Sequence, residues 1–227
     1  MPYQEENGWK SGALEGTLYY GRTPVLGYRI AYPQPAEAMM PGSARRMREY
    51  YKTRACEKLA WVKQQIYPQA AEACRRLGKT EGFRMPQLTE EFTPMYCGGG
   101  MCSLFFDTYL AGCTGRDKIW RFAQTWDIWQ KRTLPLAFFF RRGFAYRSVI
   151  LQEIGRQVER QSREEGSLYY RDAEKLLKTK FSEERFYLAD DGIVIFYEQR
   201  ALGRSALGIP SFLIPYSQFG SGLKPEL

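Results

Sequence analysis

Histidine is absent from all 227 residues. That absence removes the commonest general base, the Ser-His and Cys-His pairs, and every metal site that needs imidazole. Long apolar runs are missing too. The longest, from Leu134 to Phe140, contains Pro135 and falls far short of the ~20 residues a membrane helix needs. The opening residues Met1, Pro2, Gln4, Glu5, Glu6 and Asn7 have neither the basic start nor the apolar stretch of a secretory signal, so the sequence as written reads as soluble and cytoplasmic. Cysteine is scarce and odd in number: Cys56, Cys74, Cys97, Cys102 and Cys113 show no paired spacing. This predicts free, mostly buried thiols in a reducing compartment. Cys97, Cys102 and Cys113 without histidine make a weak zinc signal, and no metal or cofactor is expected.

What is present describes a folded globule, with 44% hydrophobic, 15% aromatic and 26% charged residues. A chain of this length buries roughly 70% of the surface its unfolded form exposes, so no metal or disulfide is needed for stability. The 33 Lys and Arg against 25 Asp and Glu leave a net charge of +8, which favours anionic partners without naming one.

The organisation follows from periodicity. Thr17 to Tyr20 and Val25 to Tyr32 flank the turn formers Gly21, Arg22, Thr23 and Pro24 and predict a hairpin. Met47, Tyr51, Ala55, Leu59, Val62, Ile66, Ala70, Ala73 and Leu77 recur at three- and four-residue steps, which predicts a long helix from an N-cap at Ser43 to a stop at Gly78. Pro68 within it predicts a kink or break near Tyr67. Between Ser43 and Lys79 there are ten Lys or Arg against three Glu, so nearly all the net charge sits on this element.

Phe83 to Tyr96, interrupted near Pro86 and Pro94, Leu104 to Leu110 and Ile119 to Trp129 read as strands. The last alternates as a half-buried strand should, with Trp120, Phe122, Gln124, Trp126 and Ile128 on one face and Arg121, Thr125, Asp127 and Trp129 on the other. Helical spacing returns over residues 144–163, and a shorter helix follows over 171–178. Phe186 to Ala189 and Ile193 to Tyr197 flank Asp190, Asp191 and Gly192, a hairpin turn whose Asp-Gly pair is expected to take positive φ. Ile209 to Tyr216 carries Pro210 and Pro215 and suits an edge strand. No internal repeat appears. The elements do not alternate strictly, so the fold class is α+β, a mostly antiparallel sheet with helices packed on one face. The chain divides into an N-terminal half, 1–100, and a C-terminal half, 101–227, in one compact unit.

Two stretches, Phe186-Tyr187-Leu188-Ala189-Asp190-Asp191-Gly192-Ile193-Val194-Ile195-Phe196-Tyr197 and Ala206-Leu207-Gly208-Ile209-Pro210-Ser211-Phe212-Leu213-Ile214-Pro215-Tyr216, resemble the PdaC/RsiV-like family. The resemblance extends over residues 100–219. It implies a domain of bacterial envelope proteins, among them a lysozyme-sensing anti-sigma factor and the non-catalytic part of a peptidoglycan deacetylase, and hence an extracytoplasmic location if an anchor has been removed. Relatives often carry a Gly-Gly-Ala-His stretch between the two central strands. Here the position reads Ala111-Gly112-Cys113-Thr114-Gly115, so a role of that histidine does not carry over.

Candidate partner-binding residues are Arg45, Arg46, Arg48 and Lys52 on the basic helix, and Trp129 among the aromatic strands, where an exposed ring would stack on a ligand. A solvated, salt-bridged helix and an aromatic core are the ordinary alternatives. Asp190 with Asp191 is the obvious carboxylate pair for glycoside hydrolysis, but solvation and turn formation account for both. Gly98-Gly99-Gly100 lacks the Lys-Ser or Lys-Thr of a phosphate loop. The leading expectation is a non-enzymatic binding or sensing domain whose partner is a protein or an anionic cell-envelope polymer. The rivals are a carboxylate-dependent glycan hydrolase and a basic nucleic-acid-binding protein, and the latter lacks any accompanying motif.

Overall fold

The computed structural model describes residues 8–38, 42–77, 83–112, 117–164 and 168–224. The fold is α+β and mostly antiparallel. β1 (Trp9–Tyr20), β2 (Thr23–Pro35), β3 (Gln87–Gly98), β4 (Met101–Ala111), β5 (Lys118–Asp127) and β6 (Arg132–Thr133) form one sheet in that order. β7 (Phe186–Ala189), β8 (Gly192–Phe196) and β9 (Ser211–Pro215) form a second. Only β2 with β3 is parallel among the registers described. Contacts divide the chain into two units: Met1–Phe92 with Phe106–Ile119, and Thr93–Phe105 with Trp120–Leu227.

In the first unit the N-terminal hairpin is borne out and longer than its apolar runs suggest. The long helix is α1 (Ala44–Trp61), a π-helical stretch over Val62–Ile66, then α2 (Tyr67–Leu77). Pro68 falls in the first turn of α2, where its missing N–H costs least, and the π-helical stretch ahead of it absorbs the irregularity. Ser43 stands at the N-cap position without a side-chain cap bond, contrary to expectation, and is buried. The expected stop at Gly78 lies outside the described residues. Met47 and Tyr51 of α1 turn inward with Trp9, Phe92 and Phe106; Tyr51 and Phe106 have ring centroids 5.3 Å apart, and Phe92 and Phe106 6.2 Å.

The second unit has an apolar core on each face of its sheet. α3 (Tyr146–Glu164) and α4 (Ala173–Lys180) bury Ile150, Ile154 and Leu177 against one face of β7–β9, which contributes Leu188, Ile193, Ile195, Phe212 and Ile214. The other face buries Tyr187, Val194 and Phe196 with Ala123 and Phe105. With both faces covered, β7 and β8 read as continuous apolar runs.

Several expectations need correction. β3 is a single strand that starts after Pro86 and carries Pro94 inside it. β5 ends at Asp127, so Trp129 sits in the following turn, and Ala123, Thr125 and Asp127 are buried while Phe122 is exposed. The turn at Asp190 and Asp191 takes no positive φ. Gly192 is required instead because a Cβ there would meet the Ile214 carbonyl oxygen at 2.2 Å. Leu136–Phe139 is a short 3-10 helix. Cys97 and Cys102 are disulfide-bonded across the β3–β4 turn, which corrects the expectation of free thiols for these two, whereas Cys56 and Cys74 are free as expected. Cys56 is exposed and Cys74 buried. Cys113 and Thr114 lie outside the described residues.

Candidate functional site

The basic residues singled out on α1 divide by their partners. Arg45 donates to Glu49 at 2.9 Å, and Arg48 donates to the Pro35 carbonyl at 2.8 Å with Glu37 at 3.6 Å. Arg46 and Lys52 are exposed. This surface is partly neutralised by its own carboxylates, as solvated helix faces usually are.

The same helix carries a cluster that the sequence reading passed over. Glu90, on β3, is fully buried. Arg54 reaches it at 2.7 Å, Lys58 at 3.3 Å, and the Thr108 hydroxyl donates to its second oxygen at 2.6 Å. The Arg54 guanidinium carbon also stands 4.2 Å above the Phe106 ring, and the Lys58 ammonium 5.2 Å from that of Trp61. Burial alone would raise the Glu90 pKa. Arg54 and Lys58, with the hydrogen bonds from Arg54 and Thr108, outweigh burial and hold the carboxyl below the usual range. Burial is the leading influence on Lys58 and lowers its pKa, against the pull of Glu90. A carboxylate held ionised by two cations is a poor proton donor and has little basicity left to offer. The signal for it was legible: Leu88, Glu90 and Phe92 alternate on the inward face of β3, and an acid at the middle position must be paired.

Trp129 is the most exposed large apolar side chain described, at 76%. It is held from below. The Ile128 amide donates to the Gly100 carbonyl at 2.8 Å, and the Gln130 amide to the Asp127 carboxylate at 2.8 Å, which closes the turn between β5 and β6. A Cβ built on Gly100 would lie 2.6–2.7 Å from three atoms spread around the six-membered ring of Trp129. Near-equal distances to atoms on different sides of a ring put that position over its face, so the indole lies flat on bare glycine backbone. Gly100 also takes φ +77°, which excludes most other residues independently. Cys97 and Cys102 bracket this glycine turn, with Cα atoms 4.3 Å apart.

Two remaining features carry less. A groove of about 660 Å³ runs between α3 and α4, floored by Gly155, Val158, Ala173 and Leu177. Of the charges at its edge, Arg156 pairs with Glu153, and Glu159 with Arg163. Asp190 and Asp191 are exposed at the β7–β8 turn. Among the described residues no group of three or more Cys, Asp or Glu is placed to hold a metal ion, and no helix is long and apolar enough to cross a membrane.

Part of this chain is similar to a known family. Residues 138–217 match the model of a family described as proteins of unknown function, DUF3298. That span holds α3, α4 and the second sheet. Two crystal structures of DUF3298 family proteins share the fold: one from Bacteroides fragilis, at 13% identity and TM-score 0.57 over 96% of this chain and 94% of that one, and one from Pseudomonas aeruginosa, at 14% identity and TM-score 0.57 over 96% and 95%. No curated protein matches the chain.

Proposed function

We propose that this chain is a non-enzymatic recognition module of the PdaC/RsiV-like kind, binding a protein or a cell-envelope polymer through the surface around Trp129. The observation that carries the reading is the indole itself, open to solvent on one face and fixed on the other by Gly100. A rigid aromatic group loses little conformational entropy on binding and contributes a large stacking area, which is why Trp is so frequent among interface anchors. The buried ionisable cluster supports the same reading, since Glu90 is committed to Arg54, Lys58 and Thr108. The Cys97–Cys102 bridge suits an oxidising, extracytoplasmic setting.

The test is retention on immobilised protein. Wild type and Trp129→Ala are presented with lysozyme, poly-L-glutamate and an anionic cell-wall polymer at low and high salt. The expected result is that wild type retains at least one of these, unchanged in mass after release, and Trp129→Ala does not. Retention of none, equal retention by both proteins, or cleavage of the retained ligand overturns the reading.

A further inference from the structure

The hairpin that carries Trp129 exposes cations next to it in sequence. Lys131 and Arg132 follow it in the same hairpin. The Arg132 Nε donates to the Gln130 side chain at 2.7 Å, and its guanidinium carbon stands 5.8 Å from the Phe138 ring. The Lys224 ammonium stands 4.6 Å from that same ring, carried there by a backbone bond from the Lys224 amide to the Phe139 carbonyl at 3.0 Å. The carboxylate described in this hairpin, Asp127, is buried and accepts the Gln130 amide. Two cations are thus held on one aromatic ring, and one of them, Arg132, belongs to the hairpin that carries the open indole.

From this juxtaposition we infer that the Trp129 surface takes an acidic protein segment that carries an aromatic side chain among its carboxylates. The inference rests on the recognition reading above and names its partner class. Carboxylates meet Arg132, Lys224 and Lys131, while the aromatic ring stacks on the free face of Trp129. The net charge of +8 steers such a segment toward the protein at long range. A nucleic-acid strand fits less well, because sequence-tolerant binding of single strands uses a succession of stacking platforms. In this hairpin Trp129 is the indole described as exposed, and Phe138 is already occupied by two cations. A polyanion without rings would gain from the cations and leave the indole unused.

The experiment compares a random Glu-Tyr copolymer, poly-L-glutamate of equal length, and heparin, each titrated against wild type, Trp129→Ala and the double variant Lys131→Glu, Lys224→Glu. Circular dichroism and urea midpoints establish that the variants are folded. Wild type is expected to bind the Glu-Tyr copolymer at least 10-fold more tightly than poly-L-glutamate, Trp129→Ala to erase that difference, and the double variant to weaken both at least 10-fold. Equal affinity for the two polypeptides in wild type, or a difference that persists in Trp129→Ala, overturns the inference. So does heparin binding as tight as the copolymer. Should lysozyme or the cell-wall polymer still be retained in a Trp129-dependent way, the acidic-segment inference fails and the recognition reading stands.

Discussion

The Glu90 cluster in the first unit and the Trp129 turn in the second both place a large or charged side chain where elementary physical chemistry would not leave it unattended, and they resolve the problem in opposite directions. Glu90 is a carboxylate taken wholly out of water, and the structure surrounds it with two cations and a hydroxyl donor. Trp129 is an apolar ring left in water, supported from beneath while its outer face stays open. The first arrangement is closed, because its partners are all internal. The second has a face free to meet something else. The contrast teaches where stability and recognition are separately invested, and it can be broken by substitution at either end.

The largest effect is expected at the closed site. Glu90→Gln leaves the half-buried Arg54 and Lys58 beside a neutral amide, and removing one partner of a buried ion pair typically costs about 3–5 kcal/mol, with the lower end expected for cations that keep some water. Urea unfolding reads the loss as a fall in midpoint with little change in slope. The pH dependence sharpens the assignment. The Glu90 pKa is depressed in the folded state by Arg54 and Lys58 against the opposing effect of burial. Its contribution is therefore present above the ordinary carboxylate value of about 4.3 and is lost as pH falls through the folded value. Wild type should thus lose stability more steeply than Glu90→Gln on acidification below about pH 4.5. Parallel acid limbs for the two proteins would mean that Glu90 is not the group holding the charge.

A middle-sized effect is expected beneath the indole. Gly100→Ala imposes a Cβ at φ +77° and drives it into the Trp129 ring. Gly143 provides the control, since it takes φ +82° with nothing within 4 Å of its would-be Cβ. Backbone strain at such positions costs about 1–3 kcal/mol in either variant. Only Gly100→Ala should also displace the indole, read as a shift in Trp emission and altered quenching by iodide. Identical emission from the two variants would show that the ring does not rest on Gly100.

Much of the fold could be read from the chain because its strongest signals are local. The stripe from Met47 to Leu77, the hairpin around Gly21 and the turn at Asp190 and Asp191 each declare themselves within a short window. The candidate site was only half legible. Trp129 was singled out as an aromatic residue, but assigned to a strand, because nothing nearby in sequence marks the end of β5 at Asp127. The residues that complete its surroundings lie far away along the chain: Gly100, with the Cys97–Cys102 bridge beside it, Phe138 and Lys224. The ten cations between Ser43 and Lys79 likewise declare themselves by count, but the inward turn of Arg54 and Lys58 to Glu90 on a distant strand does not. The alternation of Leu88, Glu90 and Phe92 marks Glu90 as inward-facing, but which cations pair with it leaves no periodic trace.

The smallest expected change in stability is also the most discriminating. Trp129→Ala removes a side chain that is three-quarters exposed, so little apolar surface returns to water on truncation, and the loss should stay within about 0.5 kcal/mol. A residue whose purpose is packing cannot be deleted so cheaply: fully buried Trp to Ala substitutions cost about 3–5 kcal/mol. A near-neutral urea midpoint combined with lost retention of ligand would separate recognition from folding at a single position. A large drop in midpoint would instead place Trp129 in the same category as Glu90, as internal structure whose exposure is incidental, and the contrast between the two regions would collapse.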